Sequence, residues 1–309
     1  MRLKWRIASI IAALLLAAVG AYCIELAIPK HDYFVQRAGT LRRVEIIDSS
    51  ESVAISETVE LESSTGLLVS MRTLRPRNAA ARRLPLVLVL SGRGAGKDAV
   101  ELVSDPQGIA YAAIDYPYDS DQALDEFWTS AAGLYAVQQA FIDTPPAVLL
   151  ALSWLLQQPW VDQKNVELVG VSLGVPFAAV AGAVDKRFTR VWLMHGGGDN
   201  LSWVMYLARD QIENDTLRNL ASRVALFAVY GNSFNTARWI RETAPRPVII
   251  VAAHDDDIVP RSSQQPLIEA ATSEHVELIW TEGQHVGRRR QEEVQLLLDI
   301  ISSRVAAAR

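Results

Sequence analysis

The chain has 309 residues, 50% of them hydrophobic, which is enough for a sizeable buried core in one large domain or two small ones. Its formal net charge of -5 argues against nucleic acid as a partner, because nucleic-acid binders concentrate Lys and Arg on one face. Cys23 is the only cysteine, so no disulfide can close within the chain.

Arg2, Lys4 and Arg6 precede an uncharged run from Ile7 to Ile24, and the first acidic residue, Glu25, follows it. A helix over that run would be about 27 Å long at ~1.5 Å per residue, close to the thickness of a bilayer core. Its apolar residues lie all the way round rather than in one stripe, which disfavours a buried core helix. Residues 1–28 therefore read as a transmembrane anchor or a signal segment. The basic flank keeps the N-terminus cytoplasmic, so an inner-membrane anchor with an exported, periplasmic or extracellular, domain is expected. Val19-Gly20-Ala21 offers small residues for a signal cut that would leave a secreted protein, although the run exceeds the roughly 7–15 residues of a signal core. Lipid attachment at Cys23 is disfavoured by Tyr22, where that processing wants a small residue.

Residues 29–43 are polar and mixed and read as a linker, with the globular domain over 44–309. Thr58 to Leu61 and Leu67 to Met71 flank Ser64-Thr65-Gly66, which predicts an antiparallel hairpin of edge strands. Leu84 to Leu90 is a continuous apolar run of strand length, as central parallel strands are. The form recurs at Ile109 to Ile114, Val166 to Val171, Val191 to Met194, Pro247 to Ala252 and Val276 to Trp280. Helical patterns cover Ala147 to Gln158, Pro176 to Val184, Ser263 to Ala271 and Arg289 to Ser303. Strands alternating with helices predict an α/β domain, a mainly parallel sheet covered on both faces.

The strongest site signal is Gly170-Val171-Ser172-Leu173-Gly174, which follows a predicted strand and opens a predicted helix. That context is what a nucleophile elbow requires: a tight turn that forces the Ser outward, with small neighbours. A hydroxyl needs a base to take its proton. Of the five histidines, His285 stands in a Gly-flanked loop after the last predicted strand, where the fold can bring it to Ser172. A carboxylate should then orient the far ring nitrogen, and Asp255, Asp256 and Asp257 are candidates after another strand. Three adjacent carboxylates cannot all converge on one ion without further ligands, so no metal is expected.

Developing negative charge on a substrate needs backbone N–H donors, one from the residue after the nucleophile and one from an earlier strand-end loop. Leu173 supplies the first, and Arg93, through its backbone in Ser91-Gly92-Arg93-Gly94-Ala95-Gly96, the second. The same loop fails as a phosphate cradle. Ser91 and Asp98 break the P-loop pattern and Lys97 breaks the dinucleotide fingerprint, so no nucleotide and no cofactor are expected.

The chain order Ser172, acidic loop, His285, each after a strand, resembles the α/β-hydrolase superfamily, most closely its dienelactone-hydrolase and acyl-peptidase-like branch. Trp160-Val161-Asp162, Gly170 to Gly174, Asp256-Asp257-Ile258-Val259-Pro260 and Gly283-Gln284-His285 carry the resemblance, over roughly residues 55 to 305. It implies an eight-stranded sheet, hydrolysis through an acyl-enzyme, and Asp256 as the acid, since relatives commonly carry it as Asp-x-x-Val-Pro. Many relatives have His-Gly where Ser91-Gly92 stands. Dienelactone hydrolases use Cys where Ser172 stands, which argues against that substrate.

Residues 197–244 are long for a crossover and hold Trp203, Tyr206, Phe227, Phe234 and Trp239. They read either as a cap over Ser172 favouring an apolar acyl or aromatic group, or as helices packed on the sheet. Arg288, Arg289 and Arg290 read as solvated surface or as a contact for an anion or lipid headgroup. The expected function is a carboxylesterase-like serine hydrolase acting on a small-molecule or acyl substrate, the bond being ester, thioester or amide. The alternative is a non-catalytic binding or scaffold module at the membrane.

Overall fold

In the computed structural model, which describes residues 16–28, 30–51, 54–77, 83–117 and 130–307, the apolar runs form the middle of one sheet. Its strands are β1 (Leu41–Glu51), β2 (Ala54–Ser63), β3 (Leu68–Pro76), β4 (Leu84–Leu90), β5 (Ala110–Ile114), β6 (Val161–Val171), β7 (Arg190–Met194), β8 (Val248–Ala253) and β9 (Val276–Thr281). Their order is β1-β2-β3-β5-β4-β6-β7-β8-β9. β1, β2, β3 and β5 pair antiparallel, and every pairing from β5 through β4 to β9 is parallel.

Every residue of β4 except Val89 is buried, because helices cover both faces of the sheet. Alternation along β4 and β5 sorts side chains between two cores. Leu86, Leu88, Ala110 and Ala112 join one, with Phe177 and Val180 of the helix Gly174–Val184. Val87, Tyr111 and Trp192 join the other, with Leu297 and Ile301 of the C-terminal helix Gln291–Ala307.

Among the described residues the sheet has nine strands rather than eight. The extra strand, β1, straddles the expected domain boundary, and the hairpin partners β2 and β3 are interior because β1 and β5 flank them. The stretch read as a linker holds a helix, α1 (His31–Ala38), with Phe34 fully buried against Phe234 and Trp239. Arg37 grips Asp143 with two bonds of 2.9 and 2.8 Å, and the Tyr33 hydroxyl donates to the same carboxylate at 2.8 Å. Asp143 sits in α2 (Ala131–Leu155), which begins well before Ala147 and carries Pro145 and Pro146 inside it. Proline removes a helical donor, but residues 142–152 of α2 are all buried and packing holds the helix through it.

Residues 16–27 are helical, and only Leu26 among them is buried. No helix among the described residues is long and apolar enough to cross a membrane. Residues 7–15 of the expected span lie outside the described residues.

Candidate active site

The loops after β4, β6, β8 and β9 meet at Ser172. β6 ends at Val171 and α3 (Gly174–Val184) begins three residues later, so Ser172 stands on a sharp turn with φ of 53°. That left-handed backbone is strained for any residue with a Cβ. Ser172 N–H donates to the Met194 carbonyl at 2.9 Å, which ties the turn to β7. Gly174 is required by packing, since a Cβ there would stand 2.2 Å from the Leu90 carbonyl oxygen.

The Ser172 hydroxyl lies 2.8 Å from His285 Nε2, and His285 Nδ1 lies 2.9 and 3.0 Å from the two Asp256 carboxylate oxygens. Both the His285 and Asp256 side chains are almost wholly buried. Asp256 Oδ1 also accepts the Ile258 and Val259 N–H groups at 2.9 and 2.7 Å, so the carboxylate is fixed by its own loop. Of the other two acids, Asp255 is exposed and Asp257 turns to Arg290, 2.8 Å away. Asp257 accepts the His285 N–H at 3.2 Å, while Arg290 Nη1 donates to the His285 carbonyl at 2.6 Å. The pair thus grips the His285 backbone from both ends. The Arg290 guanidinium holds the Asp257 carboxyl well below the usual carboxylate range.

Leu173 directly precedes α3, and N–H groups at a helix start have no partner inside the helix. The loop after β4 reaches the same point: a Cβ on Gly92 would lie 3.2 Å from Ser172 Cβ. That loop is pinned by the Tyr116 hydroxyl donating to the Ser91 carbonyl at 2.7 Å and by Lys97 N–H donating to Asp115 at 2.8 Å. Arg93 is exposed on it at the rim of a cavity beside Ser172. No described residue of 197–244 lines that cavity, and Phe234, Trp239 and Ile240 pack instead into the core behind α3. Of the three arginines, Arg290 holds the His285 loop, Arg288 reaches the Gly94 carbonyl at 2.5 Å, and Arg289 is exposed.

One buried residue was not singled out by sequence reasoning. His195 follows β7, and its Nδ1 accepts the Val286 N–H at 3.0 Å, so its proton belongs on Nε2, which faces Thr281 Oγ1 at 3.1 Å. Its place at the end of a parallel strand was the available signal. Burial, followed by the neighbouring His285, pushes its pKa down to about 4. A histidine that titrates at about 4 when folded and 6.5 when unfolded binds fewer protons in the native state. The contribution of His195 to stability is therefore full above pH 6.5 and falls as pH drops towards 4, by on the order of 3 kcal/mol, with no further change from this group below. Urea unfolding of His195→Gln across this window should show a shallower pH slope than the parent; equal slopes would contradict the buried neutral imidazole.

His195, Asp256 and His285 each offer a ligand atom within 4.8 Å of the others. Asp256 and His285 already bond to each other, and the His195 nitrogens are engaged by the Val286 N–H and Thr281 Oγ1, so an ion there would compete with these contacts rather than build on them.

No protein-family model matches the sequence, and no curated protein matches it. Solved structures do. An acetyl xylan esterase from Paenibacillus sp. R4 superposes with a TM-score of 0.61 at 14% identity, covering 87% of this chain and 92% of that one. Acetyl xylan esterase 1 from Thermoanaerobacterium sp. JW/SL YS485 gives 0.57 at 13%, with the same coverages. A cold-adapted esterase from an Arctic intertidal metagenomic library gives 0.55 at 18%, covering 81% of this chain and 96% of that one. With the strand order and the turn at Ser172, these likenesses show that the chain has the α/β-hydrolase fold.

Proposed function

We propose that the chain is a serine hydrolase that cleaves an ester through an acyl-enzyme. The observation that carries this reading is the unbroken line from buried Asp256 through His285 to a strained, cavity-facing Ser172. His285 Nε2 takes the hydroxyl proton as Ser172 Oγ bonds to the carbonyl carbon. The N–H groups of Leu173 and Arg93 face the resulting oxyanion. Collapse breaks the bond to the alcohol, which leaves with the proton from His285. Water then repeats the sequence against the acyl-serine, releasing the acid and restoring the site. Asp256 fixes the His285 tautomer and stabilises its charged form. Ester is favoured over amide because several structural neighbours are esterases.

Stopped-flow hydrolysis of a p-nitrophenyl ester should give a burst of about one equivalent of p-nitrophenol per enzyme before the steady state, the mark of an accumulating acyl-enzyme. Absence of both burst and turnover would leave the binding-module alternative.

The domain is further proposed to lie outside the cytoplasmic membrane, tethered by residues 1–28. Supporting this, Leu16, Val19 and Ile24 are exposed on the helix over residues 16–27. Protease added to spheroplasts should digest the domain, and its full protection would overturn the export.

A further inference from the structure

The cavity beside Ser172 has a volume of about 290 Å³ and runs down the sheet face opposite α3. Its sheet wall holds Val89 and Val169, which are register partners in β4 and β6, and Met194 at the end of β7. Val169 lies three residues before Ser172, so the wall reaches about 10 Å below the nucleophile at ~3.3 Å per residue. The facing wall is the C-terminal helix, whose Val294, Leu297, Leu298 and Ile301 recur at the spacing of one apolar helical stripe. The charged lining groups, Arg93 and Arg288, sit in the two exposed loops at the mouth, where Arg288 bridges to Gly94. The space therefore begins at the reacting hydroxyl, is apolar along its length, and is polar only at its entrance.

We propose that this cavity is the acyl-binding pocket, and that the preferred substrates are esters of apolar aliphatic carboxylic acids of about six to eight carbons. The inference rests on the serine-hydrolase reading and adds the substrate class to it. A methylene fills about the share of volume of one water molecule, ~30 Å³, so the cavity holds roughly nine or ten heavy atoms. The carbonyl group and its approach to Ser172 occupy the top, and the remainder sets the chain length. A polar acyl group would lose its hydration against Val89, Val169 and Ile301 without a partner. The alcohol part is left at the mouth, open to solvent, and contributes less to selection.

The experiment is a kcat/KM series over p-nitrophenyl esters from acetyl to dodecanoyl. Each added methylene should raise kcat/KM about three- to fourfold. The expected optimum is therefore at hexanoyl or octanoyl, about 10²-fold above acetyl for the former and about 10³-fold for the latter, followed by a fall at dodecanoyl. Leu298→Trp, on the partly exposed helix wall, should lower the octanoyl-to-acetyl ratio at least tenfold, and Leu298→Ala should move the optimum to longer chains. Thermal melts and fluorophosphonate labelling of both variants establish that they are folded with Ser172 reactive. A parent that labels and turns over esters but prefers acetyl, or Leu298 variants with an unchanged chain-length profile, would overturn the pocket and leave the serine mechanism standing. Absence of labelling and of turnover at every chain length would overturn both.

Discussion

Ser172→Ala is expected to lower kcat for ester hydrolysis by about 10⁶-fold while leaving the fold intact. The hydroxyl is the atom that His285 Nε2 faces at 2.8 Å, and on the proposed mechanism its removal takes away the attacking group rather than a contact to it. Alanine also has a Cβ, so it places the same demand on the φ of 53° at that turn and introduces no new backbone strain. The Leu173 N–H, the loop around Gly92 and the cavity walls are untouched, so substrate still binds. The loss should accordingly appear in kcat, with little change in KM. A variant retaining more than about 1% of the parent rate would mean that another group attacks the substrate.

Asp256→Asn is expected to cost about 10⁴-fold in turnover. The carboxylate accepts from His285 Nδ1 and from the N–H groups of Ile258 and Val259, all within 3.0 Å. An asparagine can keep the backbone bonds through its carbonyl oxygen, but it then presents an NH₂ to Nδ1. That favours the ring tautomer with its proton on Nε2, the nitrogen that must be free to take the proton of Ser172. Asp255→Asn should stay close to the parent because Asp255 is exposed. Asp257→Asn should remain within about tenfold: an amide oxygen still accepts the His285 N–H, and the lost pair with Arg290 is partly exposed and worth ~1 kcal/mol or less. Parallel kinetics of the three variants decide the matter, and a crippled Asp257→Asn beside an active Asp256→Asn would contradict the assignment.

The central strands and the turn around Ser172 were legible in the sequence because both are dictated locally. A strand buried on two faces reads as an uninterrupted apolar run, and a strand-to-helix turn this tight leaves room only for small residues, as Gly174 against Leu90 illustrates. Ser172, His285 and the acidic loop from Asp255 to Asp257 could be named because each follows a strand, and parallel strands deliver their ends to one edge of the sheet, whereas the choice of Asp256 within that loop came from the family resemblance alone. Features that depend on distant partners were not legible. α1 has mixed polarity over eight residues, and what orders it is Phe34 meeting Phe234 and Trp239, and Arg37 meeting Asp143, contacts far apart in the chain. His195 acts on the backbone N–H of Val286, a contact formed only once β8 sets β7 and β9 two strand positions apart. The aromatic residues of 197–244 carry no mark that distinguishes a cap from a core. Phe234 and Trp239 are core because α3 offers them an apolar surface, composed of residues the sequence already showed to be small and apolar.

The measurement closest to the central claim is peptide mapping by mass spectrometry after the purified protein is treated with a fluorophosphonate. An activated serine attacks phosphorus and expels fluoride, leaving a covalent adduct, whereas an ordinary hydroxyl does not react. The account predicts one adduct per chain, on the peptide containing Ser172, with its formation suppressed in Asp256→Asn. An unlabelled protein, or an adduct on any other serine, would contradict it.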